Sequence, residues 1–167
     1  MEIFVYQIES IYPNDDQYSK GVNTVFQYAV RENPSIKMAN PKLKNDSHNL
    51  IKSENVYETI LVNSKDEVTE GSRSNLFFIK NDCVFSPSES LILKGITRKY
   101  LIKLINQLEI DFIEQSIKIK DLEYFDAAFL SGTSPIILPI SSIEDYNFDV
   151  NNKVLRELMN EFIPMIT

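Results

Sequence analysis

Glycine occurs only four times in this chain of 167 residues, and three of the four lie in short segments that contain hydroxyl side chains and adjoin predicted strands or helices. Because glycine has no side chain, it marks places where a backbone can bend sharply or approach a ligand closely. The three segments are Val68–Asn75, Gly95–Arg98 and Ser131–Ser134. Each alone has an ordinary explanation as a turn or a helix cap, but three such segments together favour a common binding site.

The apolar residues around these segments predict short strands interrupted by helices. Apolar side chains recur at helical spacing over 40–54, over 97–108 and near the C-terminus, so we predict a helix in each place. Pro13 followed by Asp15 and Asp16 predicts a turn. The predicted strands are Ile3–Ile8, Val22–Val30, Val56–Asn63, Asn75–Ile79, Val84–Phe85, Phe112–Ile119, Ala127–Leu130 and Ile136–Ile143. This mixed order predicts an α+β fold with a strand-rich core and flanking helices.

The composition argues against several classes of protein. The net charge is −7 and the pI is about 4.8, whereas a nucleic-acid-binding protein usually carries a basic face. No apolar run approaches membrane-spanning length, and no secretory signal is visible. We therefore predict a cytoplasmic protein without nucleic-acid or membrane partners, and no metal site. The single cysteine, Cys83, allows no intrachain disulfide and is expected in a buried strand rather than as a nucleophile.

Lys37 lies between Ile36 and Met38 in an apolar patch of the sequence. Most lysines are solvated surface residues, and position alone favours that interpretation here. An amine removed from water has a lowered pKa, however, and Schiff-base chemistry requires this property of a lysine. The residues alone leave both interpretations open.

Taken together, these segments resemble the class IV aminotransferases. That pyridoxal-phosphate-dependent family includes branched-chain aminotransferases, D-amino acid aminotransferases and aminodeoxychorismate lyases. The resemblance is carried by Tyr57–Leu61 with Val68–Phe78, by Leu91–Arg98, and by Phe129–Ser134 with Pro139 shortly after. These motifs follow the family's order, and the similarity is weaker before Lys37.

The resemblance implies a role for each matching residue. Lys37 would bind pyridoxal phosphate covalently and shuttle the Cα proton of the substrate, whereas Lys42 and Lys44 lie too close to Glu58 for the family's spacing. Glu70 would pair with the pyridine nitrogen. Leu93 would pack against the ring, Ile96 and Thr97 would hold the phosphate from one side, and Gly132 and Thr133 from the other. The residues expected to contact the cofactor are Lys37, Glu70, Ser72, Arg73, Ser74, Asn75, Leu93, Gly95, Ile96, Thr97, Gly132 and Thr133.

The resemblance also implies a domain arrangement. Residues 31–167 are similar to the cofactor-binding C-terminal domain, a strand-rich pseudo-barrel, and residues 1–30 resemble a remnant of the N-terminal domain and the connection after it. In the family, the N-terminal domain supplies a phosphate-binding arginine and much of the substrate pocket. Arg73 stands where the family usually has a small residue. Because this sequence resembles only the end of that N-terminal domain, we expect weakened cofactor binding, and little transaminase activity, from this chain alone.

The reaction implied by the resemblance is transfer of an amino group between an amino acid and a 2-oxo acid, carried out by a homodimer. Two alternatives stay open. One is a lyase of the aminodeoxychorismate lyase type, because the cofactor motifs are shared within the family. The other is a silent domain that binds the cofactor or dimerises without turnover, because most of the N-terminal domain has no counterpart in this sequence.

Overall fold

The computed structural model of this chain describes residues 12–31 and 40–166, so the predicted strand Ile3–Ile8 and Lys37 lie outside the described residues. The helices are α1 (Asp15–Lys20), α2 (Pro41–Glu54), α3 (Ile96–Gln107) and α4 (Lys153–Ile166). The strands are β1 (Val22–Tyr28), β2 (Glu58–Val62), β3 (Glu67–Gly71), β4 (Asn75–Lys80), β5 (Cys83–Pro87), β6 (Phe112–Gln115), β7 (Ile117–Lys118), β8 (Ala127–Gly132), β9 (Ile136–Ile143) and β10 (Tyr146–Asn147). Short 3-10 helices cover Glu89–Leu91 and Ile119–Tyr124. None of the helices in this part of the chain has the length and apolar character needed to cross a membrane.

One mixed sheet contains all of these strands. Its order is β6-β5-β4-β8-β9-β1-β2-β3-β7, with β10 paired to β9. β1 runs parallel to β2 and to β9, and β5 runs parallel to β6, whereas the other pairs are antiparallel. α2 connects β1 to β2, as a crossover between parallel strands requires. β1 therefore belongs to the same sheet as the later strands, and a domain boundary near residue 30 stays a prediction.

The sheet curls until its two edges approach each other. Strand β6 lies at one end of the strand order and β7 at the other, yet only Ser116 separates them along the chain. Strand β3, which lies beside β7, also contacts β4 and β5 near the opposite edge. The predicted α+β fold, with a strand-rich pseudo-barrel core and flanking helices, is confirmed.

Strands β4 and β8 are buried on both faces, because successive side chains of a strand point in opposite directions. On one face, Phe77 and Phe129 pack beneath α3 and α4, with ring centroids 5.0 Å apart and planes within 4°. On the other face, Phe78 and Leu130 join the second hydrophobic cluster. The ends of β4 and β8 are therefore held in place by packing on both sides.

A short helix, α1, replaces the turn that Pro13 and the two aspartates predicted. The Asn14 side chain accepts a hydrogen bond from the Gln17 N–H at 2.9 Å, and the Gln17 side chain accepts one from the Asn14 N–H at 3.0 Å. This reciprocal pair is a capping box, and Asp15 and Asp16 place negative charge at the positive end of the helix. The turn prediction is wrong because it overlooked the spacing of the asparagine and the glutamine.

Two further elements differ from the prediction. Residues 67–71 form β3 where the sequence predicted a polar turn, because β2 and β7 pair with it on either side. The predicted strand Phe112–Ile119 divides at Ser116 into β6 and β7, which pair with β5 and β3 respectively. Both differences arise from pairing between distant segments, which local residue patterns do not report.

Candidate functional site

A cavity of about 1070 Å³ opens where several loops of the barrel meet. Small-molecule pockets are typically about 300–1,000 Å³, so this cavity has room for a cofactor-sized ligand. It is lined by every predicted cofactor-contacting residue that the structure describes, namely Glu70, Ser72, Arg73, Ser74, Asn75, Leu93, Gly95, Ile96, Thr97, Gly132 and Thr133. Its remaining lining residues are Arg31, Asn40, Pro41, Leu43, Lys44, Asn45, Ser47, His48, Ile51, Lys94 and Ser131. The three glycine-bearing segments therefore share one cavity.

Pairing of β4 with β8 brings two of these segments together. Asn75, the first residue of β4, lies opposite Ser131 near the end of β8. The turn before Asn75 and the turn after Gly132 consequently lie side by side. The third segment is tied to them by a hydrogen bond, in which Asn75 Nδ2 donates to the carbonyl oxygen of Leu93 at 2.7 Å.

Glu70 on β3 is a buried acid in the cavity wall, with 2% of its surface exposed. Its Oε1 accepts a hydrogen bond from Arg31 Nε at 2.6 Å, and its Oε2 accepts one from the Leu93 backbone N–H at 3.1 Å. Burial raises the pKa of Glu70, and this effect exceeds the opposing effects of Arg31 and the Leu93 N–H. Such a carboxyl group can share a proton with a basic nitrogen placed in the cavity.

The N-terminus of α3 forms another part of the cavity wall. The helix begins at Ile96, with Gly95 as its N-cap residue and no side chain bonded to its first turn. A Cβ on Gly95 would lie 2.7 Å from Asn75 Oδ1, so glycine allows the close approach of these two segments. Thr97 lies inside the helix, so the alternative that it caps the helix is wrong. Backbone N–H groups at the positive end of a helix suit a phosphate group.

Thr133 lies directly after β8 and lines the same cavity as Thr97. Both threonines therefore line one cavity, and the prediction that they hold a single anion stays a prediction. The turn that carries Thr133 ends at Ile136, whose φ of 54° is unfavourable for a β-branched residue. Strained backbone of this kind persists only where the surrounding structure fixes it.

Glu58, on β2, is a second buried carboxyl group, for which the sequence predicted no role. It is 1% exposed. Its Oε1 accepts hydrogen bonds from the Arg73 N–H and, at 3.3 Å, from Ser72 Oγ, and its Oε2 accepts one from Ser74 Oγ at 3.1 Å. A Cβ on Gly71 would lie 2.8 Å from Glu58 Oε1. The turn therefore wraps closely around Glu58, and the same three turn residues line the cavity.

The buried Glu58 carboxyl group should make stability depend on pH. Burial raises the pKa of Glu58 above its ordinary value of 4.5, despite the opposing effects of Arg73 and of its hydrogen bonds. Between that ordinary value and the raised pKa, the folded chain keeps a proton that the unfolded chain has lost, so stability falls as the pH rises through this interval. We expect Glu58→Gln to reduce this slope, by up to about 1.4 kcal/mol per pH unit, in urea unfolding between about pH 5 and pH 8.

The exposed Glu157→Gln variant on α4 is the matched control and should keep the wild-type slope. Burial also raises the pKa of Glu70, which contributes to the slope in the same direction, so Glu58→Gln should leave part of it. Equal slopes in the wild type and in Glu58→Gln would contradict the assignment to Glu58.

Two arginines line the cavity, and they have different partners. Arg31 pairs with Glu70, and its Nη2 donates a hydrogen bond to the carbonyl oxygen of Ser72 at 2.9 Å. Arg73 Nη2 donates to the carbonyl oxygen of Tyr57 at 2.7 Å, and the guanidinium lies 5.5 Å from the centre of the Tyr57 ring. The sequence alone does not reveal the ion pair, because no local pattern links Arg31 to Glu70.

Lys37 lies outside the described residues, so its role stays a prediction, although Arg31 and Asn40 on either side of its segment both line the cavity.

Cys83 is not a lining residue; it lies half-buried on β5, and burial raises its pKa and disfavours the reactive thiolate. Over residues 12–31 and 40–166, no three histidine, cysteine, aspartate or glutamate side chains are grouped as metal ligands.

Comparison with known proteins identifies relatives of this chain. Residues 2–143 match the family model described as amino-transferase class IV. A probable branched-chain-amino-acid aminotransferase of Thermotoga maritima is 35% identical over 113 residues, which are 66% of this chain and 41% of that protein. A structure assigned as a 4-amino-4-deoxychorismate lyase of Legionella pneumophila superposes with a TM-score of 0.79 at 26% identity, over 96% of this chain and 59% of that one. The branched-chain amino acid aminotransferase of Escherichia coli gives a TM-score of 0.73 at 27% identity, over 89% of this chain and 53% of that one.

The family match covers most of the chain and includes all three glycine-bearing segments. The chain spans between 41% and 59% of the length of the three relatives. Class IV aminotransferases depend on pyridoxal phosphate, so the predicted cofactor is confirmed for the family. The resemblance predicted from the sequence is confirmed, and the chain belongs to the class IV aminotransferase family.

Proposed function

We propose that this chain is the cofactor-binding part of a pyridoxal-phosphate-dependent enzyme that transfers an amino group between an amino acid and a 2-oxo acid. One observation carries the proposal: the buried acid Glu70, the helix start at 95–97 and the turn at 132–133 meet around one cavity. The reacting lysine would be Lys37, in the segment whose flanking residues both line that cavity.

The residues of the cavity wall fit each end of pyridoxal phosphate. Glu70 offers a carboxyl group to the ring nitrogen, and half-buried Leu93 offers an apolar surface to the ring. The N–H groups of the first turn of α3, with the hydroxyl groups of Thr97 and Thr133, offer donors to the phosphate. When bound, this cofactor supplies an electron sink for the bonds at the substrate Cα.

The proposed roles divide between one catalytic residue and several binding residues. Lys37 would hold the cofactor and carry the proton to and from the substrate Cα, which requires an uncharged amine for part of the cycle. Glu70 would keep a proton on the ring nitrogen, and Thr97 and Thr133 would fix the phosphate. The rest of the proposed cofactor-contacting set is Ser72, Arg73, Ser74, Asn75, Leu93, Gly95, Ile96 and Gly132.

Covalent trapping tests the assignment of Lys37. The chain is saturated with pyridoxal phosphate, reduced with borohydride and digested, and the modified peptide is identified by mass spectrometry. We expect one modified lysine, Lys37, because an amine that reacts with the cofactor must be uncharged and close to it. The visible absorbance of the bound cofactor should disappear in Lys37→Ala.

Lys44→Ala is the matched control, because Lys44 also lines the cavity but lies too close to Glu58 in sequence for the family's spacing. It should keep both the absorbance and the modified Lys37 peptide. The proposal would be contradicted if Lys44 or Lys94 were modified in place of Lys37. It would also be contradicted if the chain stayed colourless at saturating pyridoxal phosphate.

A lyase of the 4-amino-4-deoxychorismate type is the second candidate function. The observation that favours it is the superposition on the Legionella pneumophila structure over 96% of this chain. A lyase needs no amino acceptor, so consumption of 4-amino-4-deoxychorismate without a 2-oxo acid separates the two reactions. A silent domain would bind pyridoxal phosphate and catalyse neither reaction.

We further propose a homodimer and a cytoplasmic location. Seven large hydrophobic side chains of the described residues are exposed, among them Tyr28, Val30 and Ile96 at 69%, 55% and 78%. Exposed apolar surface of this kind is commonly covered by a partner. Ile96 is also a cavity-lining residue, so a partner that covers it would lie close to the proposed cofactor site.

A further inference from the structure

We propose that Arg31 is a positioning residue that holds Glu70 on the cavity wall and stabilises its ionised form, and thereby favours a proton on the ring nitrogen of pyridoxal phosphate. The statement about the ring nitrogen rests on the proposed function. The statement about Glu70 concerns this chain alone and can be tested without the cofactor.

The geometry gives Arg31 two points of attachment. Its Nε lies 2.6 Å from Glu70 Oε1, and its Nη2 lies 2.9 Å from the carbonyl oxygen of Ser72. The guanidinium therefore holds the chain on both sides of Gly71. The ion pair is largely shielded from solvent, with 18% of the Arg31 side chain and 3% of the Glu70 side chain exposed. Screening by water and salt is weak for a pair in such a setting.

The charges around Glu70 act in opposite directions. Arg31, from the segment after β1, favours the ionised carboxylate, as does the hydrogen bond from the Leu93 N–H. Burial and the nearby carboxyl group of Glu58 on β2 favour the protonated acid and raise the pKa of Glu70. Arg31 therefore supplies the positive charge that opposes protonation of Glu70. Without it, an ionised Glu70 would be a buried charge lacking its paired cation.

The consequence for a bound ring follows from the position of one proton. Glu70 and the ring nitrogen can share that proton either as carboxylate and pyridinium or as carboxylic acid and neutral pyridine. The cation of Arg31, 2.6 Å from the carboxylate, stabilises the first arrangement. Only a protonated ring nitrogen makes the ring a strong electron sink, so Arg31 would act on the chemistry through Glu70.

The first experiment measures Glu70 directly in the ligand-free chain. Glutamate side chains are labelled with ¹³C, the Glu70 carboxyl signal is assigned with Glu70→Gln, and its titration midpoint is followed by NMR. We expect Arg31→Met to raise this midpoint by at least about one pH unit, because the opposing cation is lost. Arg31→Lys retains the charge and should give a smaller rise, although it lacks the planar fork that reaches Ser72.

Lys94→Met is the matched control, because Lys94 lines the same cavity but pairs with Glu89 at 2.9 Å. It should leave the Glu70 midpoint unchanged. An unchanged midpoint in Arg31→Met would overturn the proposal, as would an equal rise in Lys94→Met. If Arg31→Met does not fold, Arg31→Gln keeps a donor without the charge and gives the same comparison.

The second experiment uses pyridoxal phosphate labelled with ¹⁵N in its ring. We expect the chemical shift of a protonated ring nitrogen in the wild type and a move toward the neutral-pyridine value in Arg31→Met. A protonated ring in both proteins would overturn the statement about the cofactor. Failure of the wild type to bind the cofactor would contradict the proposed function, while the Glu70 titration still decides the role of Arg31.

Discussion

Replacement of Phe129 by alanine is expected to lower the free energy of unfolding by about 3–5 kcal/mol. Phe129 has no exposed surface, and its ring stacks on that of Phe77 with centroids 5.0 Å apart. Truncation would remove this contact and leave a cavity between the sheet and the two helices that cover it, because neighbouring side chains fill such a space only in part. Urea unfolding of the two proteins measures the difference.

Tyr100→Ala provides the control for this measurement. Tyr100 lies on α3, is 45% exposed, and should change stability by no more than about 0.5 kcal/mol. Phe129→Leu keeps an apolar side chain but loses the stacked ring, and should cost less than Phe129→Ala. A loss below about 1.5 kcal/mol in Phe129→Ala would mean that the stacked pair contributes little to the core.

The stability of this core also bears on the cavity. Phe129 lies on β8, two residues before Ser131, and β8 ends at Gly132 where the cavity wall begins. β4, which carries Phe77, begins at Asn75 in the same wall. The stacked rings therefore anchor β8 and β4, the strands that lead into the glycine-bearing segments 131–134 and 68–75. Loss of the pair would be expected to loosen the site as well as the fold.

Much of this architecture could be predicted because its local signals agree with its tertiary environment. The helix predicted over 97–108 is observed as Ile96–Gln107, since its apolar spacing matches the face that it buries. Asn40 caps α2 and Pro41 begins it, where proline suits the first helical position, in agreement with the helix predicted over 40–54. In these helices the residues that favour the element also favour its packing.

Two of the differences from the prediction, unlike the local capping box of α1, depend on partners far away in the sequence. β3 contains few apolar residues and becomes a strand through its neighbours β2 and β7. The division of Phe112–Ile119 at Ser116 reflects closure of the barrel, because β6 and β7 join opposite edges of the sheet. A short window of sequence does not contain that information.

In the candidate site too, some features could be predicted from local sequence and others depend on distant strands. Its glycine-bearing segments were visible in the sequence, but their meeting depends on the pairing of Asn75 with Ser131. The ion pair between Arg31 and Glu70 depends on the order β1-β2-β3 in the sheet, which brings the segment after β1 close to β3. Glu58 could have been recognised from the sequence, because it lies just before the apolar run Ile60–Val62. All five residues of the strand that it begins are buried. A charged residue in such a strand indicates a buried polar network.

The second large effect is expected at the proposed phosphate site. Thr97→Val and Thr133→Val each remove one hydroxyl group from the cavity wall and keep the branched shape of the side chain. A hydrogen bond to a charged group contributes about 1.5–3 kcal/mol, so each variant should weaken binding of pyridoxal phosphate by about ten- to a hundred-fold. The double variant should lose more than about a hundred-fold, although effects at one ligand need not add.

Comparison with pyridoxal, which lacks the phosphate, makes this test specific. If the two hydroxyl groups hold the phosphate, the variants should weaken binding of pyridoxal phosphate and leave the weaker binding of pyridoxal unchanged. Equilibrium titration by absorbance measures both dissociation constants. Ser134→Ala is the matched control, because Ser134 adjoins Thr133 in the turn but is not a lining residue of the cavity. Equal losses for the two ligands would show that the threonines shape the wall without contacting the phosphate, because only a contact with the anion distinguishes the ligands.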